Sequence, residues 1–350
     1  MKKDFRNTLI LFSLGILVVA IPTALIALGV LNAYTAQIFT LAGINAIMAL
    51  SVNIICGITG QLSLGQAGFM AIGGYATILL CQNAHLPLAL AIIFAAIITA
   101  FFGFLIGFPT LRLEGDYLAI VTLAFGEIIR VVLVNLKQWT GGPNGIQFNT
   151  IMVFNSAVAF AAITGTLVLL VALVQNFIRS SYGRAILAVR EDEIAAGSSG
   201  ISVFRYKMAG FVIASFVAGV GGALYVCLIG FIKPDQAGFT KSIDYLIFVV
   251  LGGMGSTTGS VLASYVLTYL QEFLRFLQNY RLLFYPVVLI VVMIFRPQGL
   301  LGTKEVSFVR AWEKAVAFVR KKEKARACHI AGCVLFRYGV PGRFGTCNRR

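Results

Sequence analysis

Three ionisable residues lie inside otherwise apolar stretches, where a charge is costly and usually serves proton or ion movement. Glu127 and Arg130 fall within 116–137, and Asp244 falls near the start of 242–275. A spacing of three places Glu127 and Arg130 on one helix face, close enough to neutralise each other. We interpret them as a structural ion pair near the membrane edge, with a proton relay as the open alternative, and expect Asp244 near the outer interface.

Catalytic motifs of soluble enzymes are missing from the sequence. It contains neither a G-x-x-x-x-G-K-[ST] phosphate loop nor an H-E-x-x-H motif, and its two histidines are His85 and His329. The tail residues Cys328, His329 and Cys333 lie in a basic segment that we interpret as foreign to the chain rather than as a metal site. We therefore expect no enzyme activity, no metal and no cofactor on this chain, and no nucleic-acid partner. An ion gradient or a partner ATPase must supply any energy.

A charged loop at 179–205 separates long apolar stretches. Its centre has the composition of a short helix closed by a glycine. Such a helix, lying across the membrane surface, could insert into a groove of a partner and transmit motion. A solvated connector that carries topogenic positive charges is the alternative.

Two other segments, 60–68 and 251–259, are polar and glycine-rich at the edges of apolar runs. Interrupted helices of this kind occur near the bilayer midplane of transporters. Their similarity to each other suggests an internal repeat.

Composition indicates which elements position these segments. Of 350 residues, 59% are hydrophobic and 12% charged, with 36 glycines and a mean hydropathy of +0.90, so the solvent of this chain is lipid. Unbroken apolar runs of about 20 residues favour helices over barrel strands. We predict an all-α, polytopic membrane protein of about eight to ten transmembrane or re-entrant helices. The expected spans are 8–31, 35–57, 61–81, 86–108, 116–137, 151–178, 206–230, a broken pair within 242–275, and 281–295.

The distribution of lysine and arginine predicts the orientation. The N-terminus, the loop 179–205 and the tail after Lys304 are basic, whereas 138–149 has no charge. The positive-inside rule therefore puts both termini and the loop in the cytoplasm. A single crossing by 242–275 would put the basic tail outside, so we expect two half-helices or a re-entrant segment there.

Several motifs in order then resemble one family. They are 60–69 (GQLSLGQAGF), 114–123 (EGDYLAIVTL), 140–146 (TGGPNGI), the loop 179–205, 250–256 (VLGGMGS) and 295–300 (FRPQGL). Over about 35–302 the chain is similar to the branched-chain amino acid ABC permeases of the LivM type. The resemblance divides the chain into an N-terminal transmembrane helix (1–34), a permease domain (35–302) and a basic cytoplasmic tail (303–350), of which 325–350 has no counterpart in the family.

The resemblance implies a bacterial inner-membrane importer of leucine, isoleucine and valine. Its partners would be a homologous second permease, two ATP-binding subunits that hold ATP and magnesium, and a periplasmic amino-acid-binding protein, all within membrane lipid. Urea or short-amide transport within the same family stays open, as do an ion-coupled secondary transporter and a membrane scaffold that moves no solute.

The resemblance also assigns candidate residues. The family motif E-A-A-x-x-x-G matches Ala195, Ala196 and Gly200, whereas its glutamate position is Ile194 and Glu193 comes one residue early. The predicted ATPase-coupling residues are Gly183, Arg184, Arg190, Glu191, Asp192, Glu193, Ala195, Ala196 and Gly200. Gln61, Ser63, Gln66, Gly252, Gly253, Gly255 and Ser256 are candidates for the solute pathway, with close helix packing as the alternative. Thr140, Gly141, Gly142, Asn144 and Gly145 are candidate contacts for the binding protein.

Overall fold

A computed structural model describes residues 32–113, 115–150, 155–276, 281–295 and 299. The expected span at 8–31 and the basic tail at 303–350 lie outside the described residues. The predicted N-terminal helix and the foreign origin of 325–350 therefore stay predictions.

Helices make up nearly all of the described chain. They are α1 (Ala33–Val52), α2 (Gln66–Gln82), α3 (Leu88–Thr110), α4 (Asp116–Asn135), α5 (Lys137–Thr140), α6 (Ser156–Arg179), α7 (Ser181–Glu191), α8 (Glu193–Ser198), α9 (Val203–Ile229), α10 (Phe239–Gly252), α11 (Thr257–Phe273) and α12 (Arg281–Phe295). A π-helical turn, Asn53–Ile58, extends α1. Two short strands, β1 (Ile146–Gln147) and β2 (Phe231–Ile232), pair antiparallel.

Five of these helices are long and apolar enough to cross a membrane: α1 with its π-turn, α3, α4, α6 and α9. The pair α10 and α11 forms a broken segment, bent by 120° at the residues between the two helices. The predicted class, all-α and polytopic, is confirmed, and so is the break expected within 242–275. Gly253 (φ 104°) and Gly255 (φ 90°) make this break, in a backbone region that side chains with a Cβ seldom adopt.

Two helices form the centre of the described chain. Along the most apolar window, 78% of α1 with its π-turn and 72% of α9 are buried, against 33% for α3 and 28% for α4. The outer helices instead expose phenylalanine, leucine and isoleucine, as lipid-facing helices do. The described helices thus surround a buried central pair. The outer faces of the surrounding helices are apolar, where a soluble protein would have a polar surface.

Glycines allow α9 to approach its neighbours closely. A Cβ on Gly222 would collide with the Met70 carbonyl oxygen of α2 and lie 3.0 Å from the Gly74 nitrogen. On the other side, a Cβ on Gly219 would lie 2.7 Å from the Thr99 Cβ of α3. Small residues at such crossings give membrane helices their dispersion contacts.

One predicted span needs correction. The run 61–81 was expected to be helical throughout, but α2 begins only at Gln66. Gly60 (φ 72°) ends the preceding turn, and residues 60–65 form no regular helix. Averaged hydropathy misses this boundary because Leu62 and Leu64 offset the polar Gln61 and Ser63.

Candidate functional site

The charged loop forms two short helices rather than one. Ser180 caps α7, since its Oγ accepts from the Gly183 nitrogen at 3.2 Å. A Cβ on Gly183 would collide with the carbonyl oxygens of Phe177 and Ile178, so α7 can fold tightly against the end of α6. Ile186 and Val189 are buried beneath α7. The helix therefore lies on the membrane domain by one apolar face.

Asp192 separates the two helices and starts α8. Its Oδ1 accepts from the nitrogens of Ile194 at 2.9 Å and Ala195 at 3.0 Å, as an N-cap does. At the other end, Gly200 has φ 82° and the Ile201 nitrogen donates to the Ala196 carbonyl at 3.1 Å. This ending is the predicted glycine closure of the helix.

Arg190, near the end of α7, joins this loop to the membrane segments. Its guanidinium donates to the Gly57 carbonyl, 133 residues earlier, at the end of the π-turn. A Cβ on Gly60 would lie 2.9 Å from the Arg190 Cγ, and one on Gly255 would lie 3.0 Å from its Nη1. Arg190 thus lies between both glycine-rich segments that the sequence singled out.

The π-turn of α1 also touches the second glycine-rich segment. The Gly255 nitrogen donates to Oδ1 of Asn53 at 2.9 Å. A Cβ on Gly57 would lie 2.9 Å from the Gly255 Cα. We call the set Asn53, Gly57, Gly60, Arg190 and Gly255 the arginine junction. It brings together α7, the π-turn of α1 and the break between α10 and α11.

A second contact ties α8 to the membrane domain. Glu193 forms an ion pair with Lys207 of α9, whose side chain is nearly buried. A mostly buried lysine needs such a partner, because an unpaired charge there is costly. Glu193 therefore has a defined contact although it lies one residue before the family's glutamate position.

Most of the other predicted loop residues are exposed. Arg184 bonds within the loop, to the Arg179 carbonyl and the Ser181 hydroxyl, both at 3.1 Å. Glu191 and Ala195 are exposed, and Ala196 is buried. Ile194 is 83% exposed, and an apolar side chain so placed on a surface can mark a contact site for another protein.

The predicted pathway residues of the first segment point into the chain. Gln61, Ser63 and Gln66 are buried. Gln66 accepts from the Ser51 hydroxyl at 2.9 Å, whereas both amide atoms of Gln61 and the Ser63 hydroxyl have no hydrogen-bond partner among the described residues. Leu62, between them, is exposed. Polar and apolar groups therefore alternate along 60–65.

The predicted pathway residues of the second segment shape the backbone. A Cβ on Gly252 would lie 2.6 Å from the Ser260 Cα. Ser256 is buried and caps α11, accepting from the Gly259 nitrogen at 3.1 Å. Gly253 and Gly255 have positive φ. Close packing explains these residue types, and their role in a solute pathway stays a prediction.

The candidate contacts for a binding protein lie beside the two-stranded sheet. Thr140 and Gly142 are buried, and the Thr140 hydroxyl donates to the Leu133 carbonyl at 2.5 Å. Gly141 and Asn144 are exposed, Gly145 is half-buried, and the neighbouring Trp139 is exposed. Only part of the predicted set can therefore meet a partner directly.

Of the acidic residues inside the spans, Glu127 links two helices, whereas Asp244 pairs within its own helix. Glu127 pairs with Arg130 at 2.6 Å, and its other oxygen accepts from the Phe239 nitrogen at 3.1 Å, at the start of α10. Arg130 also approaches Asp235 at 4.0 Å, and Asp244 approaches Lys241 at 3.9 Å. The expected ion pair of Glu127 and Arg130 is confirmed, and it caps α10 as well.

Metal-binding groups are not assembled in the described part of the chain. No three residues among histidine, cysteine, aspartate and glutamate come together there. Cys56, Cys81 and Cys227 are free thiols. Cys328, His329 and Cys333 lie outside the described residues.

Sequence reasoning missed three contributors to the site: Asn53, Gly57 and Lys207. Asn53 is a buried amide within an apolar run, which was the available signal for a helix–helix contact. Gly57 precedes the predicted glycine-rich segment 60–68 by only a few residues. Lys207 follows the basic loop and was not distinguished from the other positive charges that set the membrane orientation.

Comparisons with known proteins agree over most of the chain. The family model described as "Branched-chain amino acid transport system / permease component" matches residues 34–295. The permease protein LivM of Escherichia coli, from a high-affinity branched-chain amino acid transport system, is 37% identical over 325 residues, covering 85% of this chain and 75% of LivM. A probable LivM of Methanocaldococcus jannaschii is 24% identical over 321 residues, covering 75% and 92% of the two chains. LivH of Salmonella typhimurium, another permease protein of such a system, is 26% identical over 293 residues, covering 77% and 95%. No solved structure matches the chain.

Proposed function

The chain belongs to the branched-chain amino acid transport permease family, and from this premise we propose that it is the membrane-spanning subunit of an ATP-driven importer for leucine, isoleucine and valine. The observation that carries the proposal furthest is the arginine junction, because it links a surface loop to broken membrane segments. A loop that only connected two spans would need no such link.

The energy is proposed to come from two separate ATP-binding subunits, which hold ATP and magnesium. They would bind the surface of α7 and α8, where Ile194 offers an exposed apolar side chain. ATP binding would draw these subunits together and shift both short helices. Arg190 would pass the shift to the π-turn and the break, and the Glu193–Lys207 pair would pass it to α9.

The solute is proposed to cross between this chain and a homologous second permease. The 60–65 segment supports this, since it carries an exposed Leu62 beside the buried Gln61, whose amide has no described protein partner. A buried amide needs a hydrogen-bond partner, and movement of the segment would let water or a zwitterionic solute supply one. Selectivity would then rest largely in a periplasmic binding protein that docks near Trp139 and Asn144.

The membrane orientation is part of the proposal. Both termini and the loop with α7 and α8 would be cytoplasmic, because these segments carry the chain's excess of lysine and arginine. The short sheet of β1 and β2 would then lie on the periplasmic side of the bacterial inner membrane.

Uptake into proteoliposomes that contain this chain with its co-purified partners and binding protein tests the proposal. Labelled leucine and labelled urea are compared, with ATP supplied and with the proton gradient collapsed by an ionophore. We expect leucine uptake that requires ATP and survives loss of the gradient. Uptake of urea alone would reassign the solute within the family. Uptake that follows the gradient without ATP would contradict the proposal and favour an ion-coupled transporter.

A further inference from the structure

An apolar groove of about 450 Å³ opens on the outer surface between α3 and α9. Its size falls within the range of about 300–1,000 Å³ that is usual for ligand pockets. It is shallow and lined by Phe104, Phe204, Arg205, Met208, Ala209, Val212 and Ile213. The groove extends along α9 from Arg205 to Ile213, a distance of about 12 Å at the helical rise of about 1.5 Å per residue.

One end of the groove carries cations. Arg205 lines the groove and is exposed. Nearby, the Arg112 guanidinium lies 5.0 Å from the ring centroid of Phe108, and Phe108 packs edge-on against Phe204 at 5.9 Å. The two phenylalanines thus connect Arg112 to the groove that Arg205 enters.

Neither arginine is neutralised within the described residues. Arg130, Lys207 and Arg275 each form an ion pair there, whereas no such pair involves Arg112 or Arg205. An apolar groove with two arginines near one end that have no acidic partner among the described residues matches an amphiphile with an anionic head. Guanidinium groups bind phosphate through paired hydrogen bonds, and basic pockets between membrane helices bind anionic head groups.

We propose that this groove binds one anionic phospholipid, with an acyl chain against Met208 and Val212 and the phosphate at Arg205 and Arg112. The groove begins in the first turns of α9, beside Lys207, which α8 contacts. The lipid therefore packs against the helix on which the coupling loop acts, although its binding does not depend on the chain's transport activity.

Native mass spectrometry of the purified complex, exchanged into detergent with either phosphatidylglycerol or phosphatidylcholine, tests the site. We expect the wild type to retain one phosphatidylglycerol per copy of this chain in preference to phosphatidylcholine. Arg205→Gln and Arg112→Gln should each weaken retention about fivefold and together about 25-fold, at the usual strength of one basic residue near anionic lipid. Arg179→Gln, which removes an exposed arginine at the end of α6, is the matched control and should retain the lipid.

A second variant tests the apolar part separately. Ala209→Phe fills the groove while keeping both arginines, and we expect it to lose the lipid although the complex stays assembled. Equal retention of phosphatidylcholine would overturn the proposal, since any lipid would then suffice. Retention unaffected by both Ala209→Phe and the double arginine variant would overturn it too, because the bound lipid would lie elsewhere. Retention of neither lipid would also overturn the proposal, because the groove would then hold no lipid.

Discussion

Replacing Gly60 with alanine is expected to disturb the arginine junction in a way that can be separated from backbone strain. At φ 72° the alanine side chain costs about 1–2 kcal/mol. Its Cβ would also lie 2.9 Å from the Arg190 Cγ, well inside the contact distance of about 3.5–4.0 Å. Arg190 would have to move, and with it the hydrogen bond to the Gly57 carbonyl.

Gly200→Ala provides the matched control for the backbone effect. Gly200 has φ 82°, close to that of Gly60, but no heavy atom lies within 4 Å of its added Cβ. The backbone strain energy should therefore be similar in the two variants. A hydrogen bond from a charged group contributes about 1.5–3 kcal/mol, and the half-buried position of Arg190 favours the lower end. We expect Gly60→Ala to destabilise the chain by about 1.5 kcal/mol more than Gly200→Ala.

A double-mutant cycle with Arg190→Ala completes the test. Unfolding of the purified complex in detergent is followed by circular dichroism for wild type, Gly60→Ala, Arg190→Ala and the double variant. In Arg190→Ala the close contact with Cγ is gone and only an ordinary contact with the Cβ of residue 190, at 3.5 Å, remains. The double variant should therefore be about 1.5 kcal/mol more stable than the sum of the single effects. If the effects of Gly60→Ala and Arg190→Ala on the free energy of unfolding add within about 0.5 kcal/mol, the arginine junction is refuted. Equal destabilisation by the two glycine variants would refute it too.

Three further outcomes follow from the fold. Gly222→Ala should lower the melting temperature by several degrees, because the added Cβ would collide with the Met70 backbone. Gly165→Ala, where the added Cβ lies in open space on α6, should raise the melting temperature slightly. Thermal unfolding of the two variants checks both expectations. Glu127→Ala should destabilise the chain by about 1–2 kcal/mol through loss of the α10 cap, and Glu127→Gln, which keeps an acceptor, should retain ATP-driven uptake. Loss of uptake in Glu127→Gln would instead support an ion-coupled role. Ile194→Asp should reduce co-purification of the ATP-binding subunits without lowering helix content, and unchanged recovery would exclude Ile194 from that contact.

Charge and hydropathy were enough to predict the main architecture. The break between α10 and α11 was predicted from the basic tail, because a single crossing by 242–275 would have put that tail outside the cytoplasm. The class of the fold follows from long apolar runs. The start of α2 did not follow, because Gly60 and Gly65 leave the average hydropathy unchanged while the backbone departs from a helix.

The arginine junction itself could not be predicted from local patterns. Arg190 was singled out as a loop residue, but its partner Gly57 lies 133 positions away. Asn53 and Gly255 are separated by 202 positions. Likewise, the spacing of Glu127 predicted its pair with Arg130 but not its bond to Phe239, 112 positions further on. Side-chain partners that meet through tertiary packing leave no periodic signal in one sequence.

The most direct test of the central claim is the number of leucine molecules imported per ATP hydrolysed, measured in proteoliposomes for wild type, Arg190→Ala and Arg179→Ala. We expect the Arg190→Ala complex to stay assembled and to hydrolyse ATP, but to import leucine at a ratio at least tenfold lower, roughly the effect of losing 1.4 kcal/mol of coupling. Arg179→Ala, whose exposed side chain takes no part in the junction, should keep the wild-type ratio. An Arg190→Ala complex that hydrolyses ATP and imports leucine at the wild-type ratio would contradict the coupling role of the arginine junction.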